Sequence, residues 1–218
     1  MTGGQQSLHL QVRTLELHVE ASFYQPKSHE EPLLEQHFVG IHQEEIHRGI
    51  AKLASQLHER YGNDPLTIVA IMTGSLVMLA DLIRSLEMPV RISLIRASSY
   101  RGGMTSGDLT IEDSDMLNIQ GRDVLLIDDI FDTGKTLAEV TRRMERHQPR
   151  SLKTAVFLNK RGNSVVNQAP DYSVFDIPNE FVVGYGLDYD DLYRNLPYVG
   201  VLEEADLAAH QRLHGPSR

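Results

Sequence analysis

The feature that most constrains this chain is one run, Val124-Leu125-Leu126-Ile127-Asp128-Asp129-Ile130-Phe131-Asp132-Thr133-Gly134-Lys135-Thr136. An apolar stretch of this kind is the signature of a strand buried on both faces, and here it leads straight into two carboxylates. A third carboxylate, two threonines and a glycine follow before a helical pattern begins. In open α/β sheets, ligands bind at the carboxyl ends of the strands. The first amides of the next helix lack intrahelical partners and suit a phosphate. The run therefore combines a phosphate cradle with acids placed for sugar hydroxyls, a metal or a proton. Asp-Asp alone would read as a solvated turn; the whole run does not. A nucleoside-triphosphatase loop is rejected, because the glycine that its pattern requires five positions before Gly134 is Asp129. A carboxylate there would face the phosphates.

The surrounding pattern predicts the fold class. Ile46, Ile50, Leu53, Ala54, Leu57 and Tyr61 recur at helical spacing over 42–61, with Gly62 as C-cap. Short apolar runs at 66–72, 90–96, 123–127 and 152–158 read as strands. They alternate with helices expected at 75–87 and 136–147, which implies an α/β fold with a parallel sheet, expected to have five strands. Residues 97–117, rich in serine, glycine and aspartate, read as a long connection without a firm element. After Lys160 the alternation breaks into strand-like pieces at 172–176, 181–183 and 198–202. A further strand is expected at 15–19, and Met1–Gln6 read as an expression-tag remnant.

Composition excludes several classes. With no cysteine there is no disulfide framework, thiolate metal site or cysteine nucleophile. No apolar run is long enough to span a bilayer as a helix, and no secretory opening is visible, so a cytosolic location is expected. A formal net charge of −9 disfavours nucleic acid as a partner. Among the histidines, His210 and His214 could share a helix face, but no third ligand accompanies them, and no zinc is assigned.

The acidic run resembles the phosphoribosyl pyrophosphate signature of type I phosphoribosyltransferases, in the Asp-Thr-Gly-Lys-Thr form found in hypoxanthine-guanine phosphoribosyltransferases. A second block, Ile177-Pro178-Asn179-Glu180-Phe181-Val182-Val183-Gly184-Tyr185-Gly186-Leu187-Asp188-Tyr189 with Tyr193-Arg194-Asn195-Leu196-Pro197, resembles that family's purine hood. Ser98-Ser99-Tyr100 and Phe157-Leu158-Asn159-Lys160-Arg161 fall in the matching order. The resemblance covers about residues 37–205. It implies a phosphoribosyltransferase core over 37–160 flanked by helices. An N-terminal arm over 1–36 and a segment over 161–218 would contribute a small hood.

The resemblance also implies roles. Asp128 and Asp129 would bind the ribose hydroxyls and help place Mg2+. Asp132 would be the general acid/base near N7 of the purine. Thr133, Gly134, Lys135 and Thr136 would cradle the 5′-phosphate, although Lys135 reads equally well as a solvated lysine at the helix start. Ile130, Lys160, Phe181 and Val182 would receive the base. Lys160 would donate to O6, which selects hypoxanthine and guanine over adenine. Thr73, Gly74, Ser99, Tyr100 and Arg194 would hold pyrophosphate, and Asp188 its Mg2+. Taken alone, Phe181 would be a core aromatic, and Asp188 and Arg194 surface charges. Thr73 departs from the family, which commonly has lysine or arginine there, and a cis peptide is expected at Met72-Thr73. The loop at 98–117 would close over the site and exclude water.

The implied reaction takes phosphoribosyl pyrophosphate and a 6-oxopurine, in a homodimer or homotetramer, with no nucleic acid or membrane partner. Three other readings are weaker. A nucleic-acid-binding regulator on this fold is opposed by the charge and the lack of a helix-turn-helix segment. An enzyme for another base, such as xanthine or uracil, is the nearest competitor; the Lys160 and Phe181 block favours a 6-oxopurine, and the preference at the 2-position is not set by the sequence. A silent paralogue is opposed by the presence of every expected acid.

Overall fold

A computed structural model describes residues 39–99, 109–112 and 118–202. The strand expected at 15–19, the His210/His214 pair and most of the 98–117 loop, Tyr100 included, lie outside them. Strand β1 (Val39–Ile41) is followed by helix α1 (Gln43–Tyr61), whose buried side chains are Ile46, Ile50, Leu53, Ala54, Leu57 and Tyr61, as the spacing predicts. The helix opens with the His42 amide donating to Glu45 Oε2 at 3.0 Å. It closes at Gly62, whose positive φ of 56° suits glycine and whose amide donates to the His58 carbonyl.

The chain then runs through β2 (Leu66–Met72), α2 (Leu76–Arg84), β3 (Val90–Ser99), β4 (Leu109–Glu112), β5 (Asp123–Phe131), α3 (Lys135–Glu145), β6 (Ser151–Lys160) and β7 (Tyr172–Ile177). These strands form one sheet in the order β4-β3-β2-β5-β6-β7. Five are mutually parallel, and β4 adds an antiparallel edge to β3. The expectation of an unstructured connection over 97–117 is therefore corrected: β3 continues to Ser99 and β4 pairs back on it. The serines that end β3 carry no apolar signal, and β4, Leu109-Thr110-Ile111-Glu112, alternates over only four residues, too short to stand out within a polar segment. After Lys160 the chain returns to the core sheet as β7. Strands β8 (Val182–Val183) and β9 (Val199–Val201) then make a small antiparallel sheet with β1.

The central strands look uniformly apolar because alternate residues serve two cores. Leu66, Ile68, Ala70, Leu125, Ile127 and Phe157 face the core that contains α1 and α2. Val69, Ile71, Val124, Leu126 and Val156 pack with Leu137, Val140 and Met144 of α3 on the other side. No helix among the described residues is long and apolar enough to cross a membrane.

Helix α1 approaches the sheet through Gly49. A Cβ there would lie 2.5 Å from Val174 Cγ1 and 2.9 Å from Phe175 Cζ. The Phe175 ring is held by an edge contact to Phe157, with centroids 5.7 Å apart, so it cannot yield freely. Alanine in a helix gains about 0.5–1 kcal/mol over glycine, whereas overpacking costs about 1–3 kcal/mol. Gly49→Ala should therefore lower stability despite its better helix propensity, read as a reduced denaturant midpoint at constant m-value.

Candidate active site

The strand order reverses direction between β2 and β5: from β2 the chain moves outward to β3, and from β5 it moves the other way to β6 and β7. Diverging connections leave a crevice at such a point, beyond the carboxyl ends of the strands. There the structure has an open cleft of about 300 Å³, lined by Ile71 and Met72 at the end of β2, Thr73 and Gly74 just after it, Ala97 on β3, and Asp128 to Ile130 on β5. Asp132, Thr133, Gly134, Thr136 and Leu137 line it from the next loop and α3, and Asp188 and Arg194 complete it.

The acids do not sit at the tip of their strand, as the sequence suggested. Strand β5 runs on through Phe131, so Asp128 and Asp129 lie within it. Asp128 is buried at 7% exposure. Its Oδ1 accepts the Asp129 amide at 3.0 Å, and Asp129 Oδ1 accepts the Ile130 amide at 2.9 Å. The Asp129 carboxylate leaves no room for a side chain opposite it: a Cβ on Gly74 would land on that group. Burial pushes the Asp128 carboxyl well above the ordinary aspartate range, and the neighbouring Asp129 charge adds to the shift. Burial raises Asp129 too, opposed by hydrogen bonds and by the Arg194 charge. Two carboxylates in one desolvated corner cannot both ionise cheaply. They call for hydroxyl donors or a cation.

Beyond Phe131 the chain turns at Gly134, whose φ of 80° places it in the left-handed region just before α3. No side chain caps α3, and its first amides lack intrahelical partners, which leaves them able to bind an anion. The Met72-Thr73 peptide is cis, as expected from the sequence. Arg194 donates from Nη1 to the Gly186 carbonyl and from Nη2 to Asp188 Oδ1, each at 2.8 Å, with Asp191 at 3.2 Å.

Other residues singled out in the sequence lie outside this lining. Lys135 is exposed on the first turn of α3. Lys160 ends β6 with a nearly buried side chain, its Nζ 3.8 Å from Asp132 Oδ2. Phe181 is 46% exposed, in edge contact with Tyr189 at 5.5 Å between centroids, and Val182 begins β8. The backbone of Ser99 pairs with Leu109 at the end of β3.

Several contributors went unrecognised in the sequence. Tyr185 packs on Phe157, with ring centroids 4.5 Å apart, and donates its hydroxyl to Asp81 Oδ2 at 2.8 Å. Burial and that carboxylate push its phenol upward, so it stays a donor. Gly186 lies against the Gly74 carbonyl where no Cβ could fit. Asn163 donates to Asp132 Oδ1. The glycines at 184 and 186 flanking Tyr185 were the available signal of close backbone approach; nothing in the sequence pointed to Asp81 or Asn163.

Comparison with known proteins agrees with this fold. The family model of the phosphoribosyl transferase domain matches residues 42–190. A hypoxanthine-guanine phosphoribosyltransferase of Streptococcus pneumoniae is 40% identical over 165 residues, covering 75% of this chain and 92% of the relative. One of Aquifex aeolicus is 38% identical over 167 residues, covering 75% and 93%. Among solved structures, a hypoxanthine phosphoribosyl transferase of Trypanosoma cruzi superposes with a TM-score of 0.75 at 37% identity, over 80% of this chain and 95% of that one. A hypoxanthine-guanine phosphoribosyltransferase of Bacillus anthracis gives 0.72 at 34% identity, over 76% and 98%.

The buried pair makes a linkage prediction. The native pair holds its proton to higher pH than the unfolded chain does. Its stability is therefore complete below the ordinary aspartate range and declines as pH rises through the pair's titration. Asp128→Asn removes this penalty. The unliganded variant should melt at a higher temperature than wild type at about pH 8, with the gain fading toward about pH 4. A wild type that is equally stable at both pH values, with no gain from the substitution, would show that the pair ionises freely.

Proposed function

This chain belongs to the phosphoribosyl transferase family, and from that premise we propose that it moves the 5-phosphoribosyl group of phosphoribosyl pyrophosphate to N9 of hypoxanthine or guanine. The products are IMP or GMP and pyrophosphate, a purine-salvage reaction. The observation that carries this reading is the single cleft in which the buried pair Asp128 and Asp129, the loop acid Asp132, the start of α3 and Arg194 converge.

In the reaction the C1–O bond to pyrophosphate breaks as the C1–N9 bond forms. Positive charge builds on the ribose, and negative charge on the leaving group. Asp128 and Asp129 accept hydrogen bonds from the ribose hydroxyls and offset the positive charge. The backbone from Asp132 to Thr136, with the Thr133 and Thr136 hydroxyls, holds the 5′-phosphate; exposed Lys135 adds charge nearby. Asp132 takes the proton from N7 as N9 attacks. Lys160 donates to O6, Phe181 stacks on the ring, and the Val182 backbone and Ile130 border its edge. A volume of about 300 Å³ is at the lower end for small-molecule sites. It suits the sugar phosphate with its leaving group, while the base extends toward Lys160 and Phe181.

Arg194 binds the departing pyrophosphate together with the Thr73 and Gly74 backbone and the Ser99–Tyr100 segment. The Thr73 side chain brings no positive charge, so Arg194 carries more of that duty. No cluster of three or more acidic, histidine or cysteine side chains able to cage a metal exists among the described residues. The oxygen donors of Asp188 and of the Asp128–Asp129 pair nevertheless fit Mg2+, which binds with few protein ligands and keeps waters and substrate oxygens. When bound, Mg2+ neutralises pyrophosphate charge. Family resemblance further supports a homodimer or homotetramer.

The test is a panel of hypoxanthine, guanine, xanthine, adenine and uracil with phosphoribosyl pyrophosphate and Mg2+. Turnover of hypoxanthine and guanine, with adenine and uracil inert, is the expected result; a preference for adenine or uracil would refute it. Asp132→Asn should lower kcat by about 10²-fold or more while KM for phosphoribosyl pyrophosphate changes little.

A further inference from the structure

We propose that Asn163 is a positioning residue that fixes the Asp132 carboxylate and, through Asn179, couples it to the segment that receives the base. The proposal rests on the acid/base role of Asp132 given above. Asp132 sits on a loop with its side chain 43% exposed, so its backbone alone does not orient it. A proton acceptor on a flexible rotor spends little time aligned with the reacting N–H, and alignment is where much of the rate arises.

Three contacts stitch residues 163–166 onto that loop. Asn163 Nδ2 donates to Asp132 Oδ1. The Val165 amide donates to the Thr133 carbonyl at 3.0 Å. Val166 packs against Gly134, where a Cβ would lie 2.5 Å from its Cγ2. Asn163 is held in turn by Asn179 just after β7. Its Nδ2 donates to Asn179 Oδ1 at 3.2 Å, and its Oδ1 accepts from Asn179 Nδ2 at 3.4 Å. Both N–H groups and the carbonyl of the Asn163 amide are therefore used. Flipping that amide would set its oxygen against the Asp132 carboxylate, so electrostatics select the orientation.

The arrangement leaves Asp132 Oδ2, on the Lys160 side, for the base proton. Asn179 stands two residues before Phe181, whose carbonyl accepts the Leu202 amide at 2.9 Å. A purine settling on Phe181 thus acts on the same short segment that orients the group handling its proton. The Val165 amide and the Val166 side chain hold the phosphate loop, while within residues 163–166 only the Asn163 side chain addresses the carboxylate. This division predicts a kcat effect without a sugar-phosphate binding effect.

The experiment compares Asn163→Ser, Asn163→Ala and Asn163→Asp in steady-state turnover with hypoxanthine, phosphoribosyl pyrophosphate and Mg2+. Serine keeps a donor and should stay within about threefold of wild type, whereas alanine should lose about tenfold in kcat. Aspartate has the shape of asparagine but sets a second anion against Asp132, and should lose more than alanine. KM for phosphoribosyl pyrophosphate should stay within about twofold throughout. On an Asp132→Asn background, Asn163→Ala should cost nothing further. A residue that only filled space would give the reverse order, with the isosteric aspartate milder than alanine. That order, unchanged kcat in all three variants, or a full additional loss on the Asp132→Asn background would overturn the proposal. If the alanine variant does not fold, the serine and aspartate pair decides by the same order. Asp132→Asn alone separates the two levels: retained kcat there removes the acid/base assignment itself, whereas a collapse there with unaffected Asn163 variants removes only the positioning role.

Discussion

Placing two carboxylates at the sixth and seventh of the nine residues of a buried strand is the constraint on which the rest of the molecule depends. Desolvation of Asp128 and Asp129 works against folding, and the unliganded protein compensates only in part, through two backbone amides and the charge of Arg194. The strand cannot slip to relieve the strain. Its other residues are committed alternately to two cores, and a shift of one position would send Leu125 and Leu126 to the wrong faces. The acids are thus held in register by groups that do no chemistry. On the proposed reading a ribose or a cation would supply the partners they lack, so the cost borne in the free state would become affinity in the bound one.

The switch point explains why so many distant segments meet there. Strands β2 and β5 are neighbours in the sheet, while their connections depart in opposite directions, so the loops after them border the cleft without obstructing it. Gly74 is the hinge of this proximity, because anything larger would displace Asp129. On its far side the Gly74 carbonyl meets Gly186, which carries the segment with Asp188 and Arg194. Tyr185, between the glycines at 184 and 186, ties that segment to α2 through Asp81. The loop after β2, helix α2 and the segment with Asp188 and Arg194 are therefore packed together.

Charge distribution sharpens the division of labour. The chain is acidic overall, and its cleft concentrates carboxylates, yet the reaction handles polyanions. The structure separates the signs along the cleft: the start of α3 and the Arg194 guanidinium line it apart from the Asp128–Asp129 pair of β5, which on the proposed reading leaves the former for phosphates and the latter for the sugar. With threonine at position 73, Arg194 is the charged residue of the cleft lining that carries a positive sign.

Much of this was legible in the sequence because it follows from local rules. Periodicity alone located α1 and its buried face, and continuous apolar runs marked β2, β5 and β6. The order of acids, threonines and glycine around Gly134 announced a phosphate loop. Edge strand β4 was hidden, because the alternation of Leu109 and Ile111 with Thr110 and Glu112 spans only four residues of a polar segment. The end of β5 was misplaced, because aspartate reads as a breaker unless a ligand site rewards its burial. The partners of Asp81, Tyr185, Asn163 and Asn179 were beyond reach for a different reason. Each of these residues acts through a partner up to 104 positions away, and a hydrogen bond across such a span leaves no periodicity behind. The sequence by itself determined which groups the protein has for the chemistry and what fold would carry them. Only the tertiary structure decided how they are aimed, because aim is set by contacts between segments that the linear order does not relate.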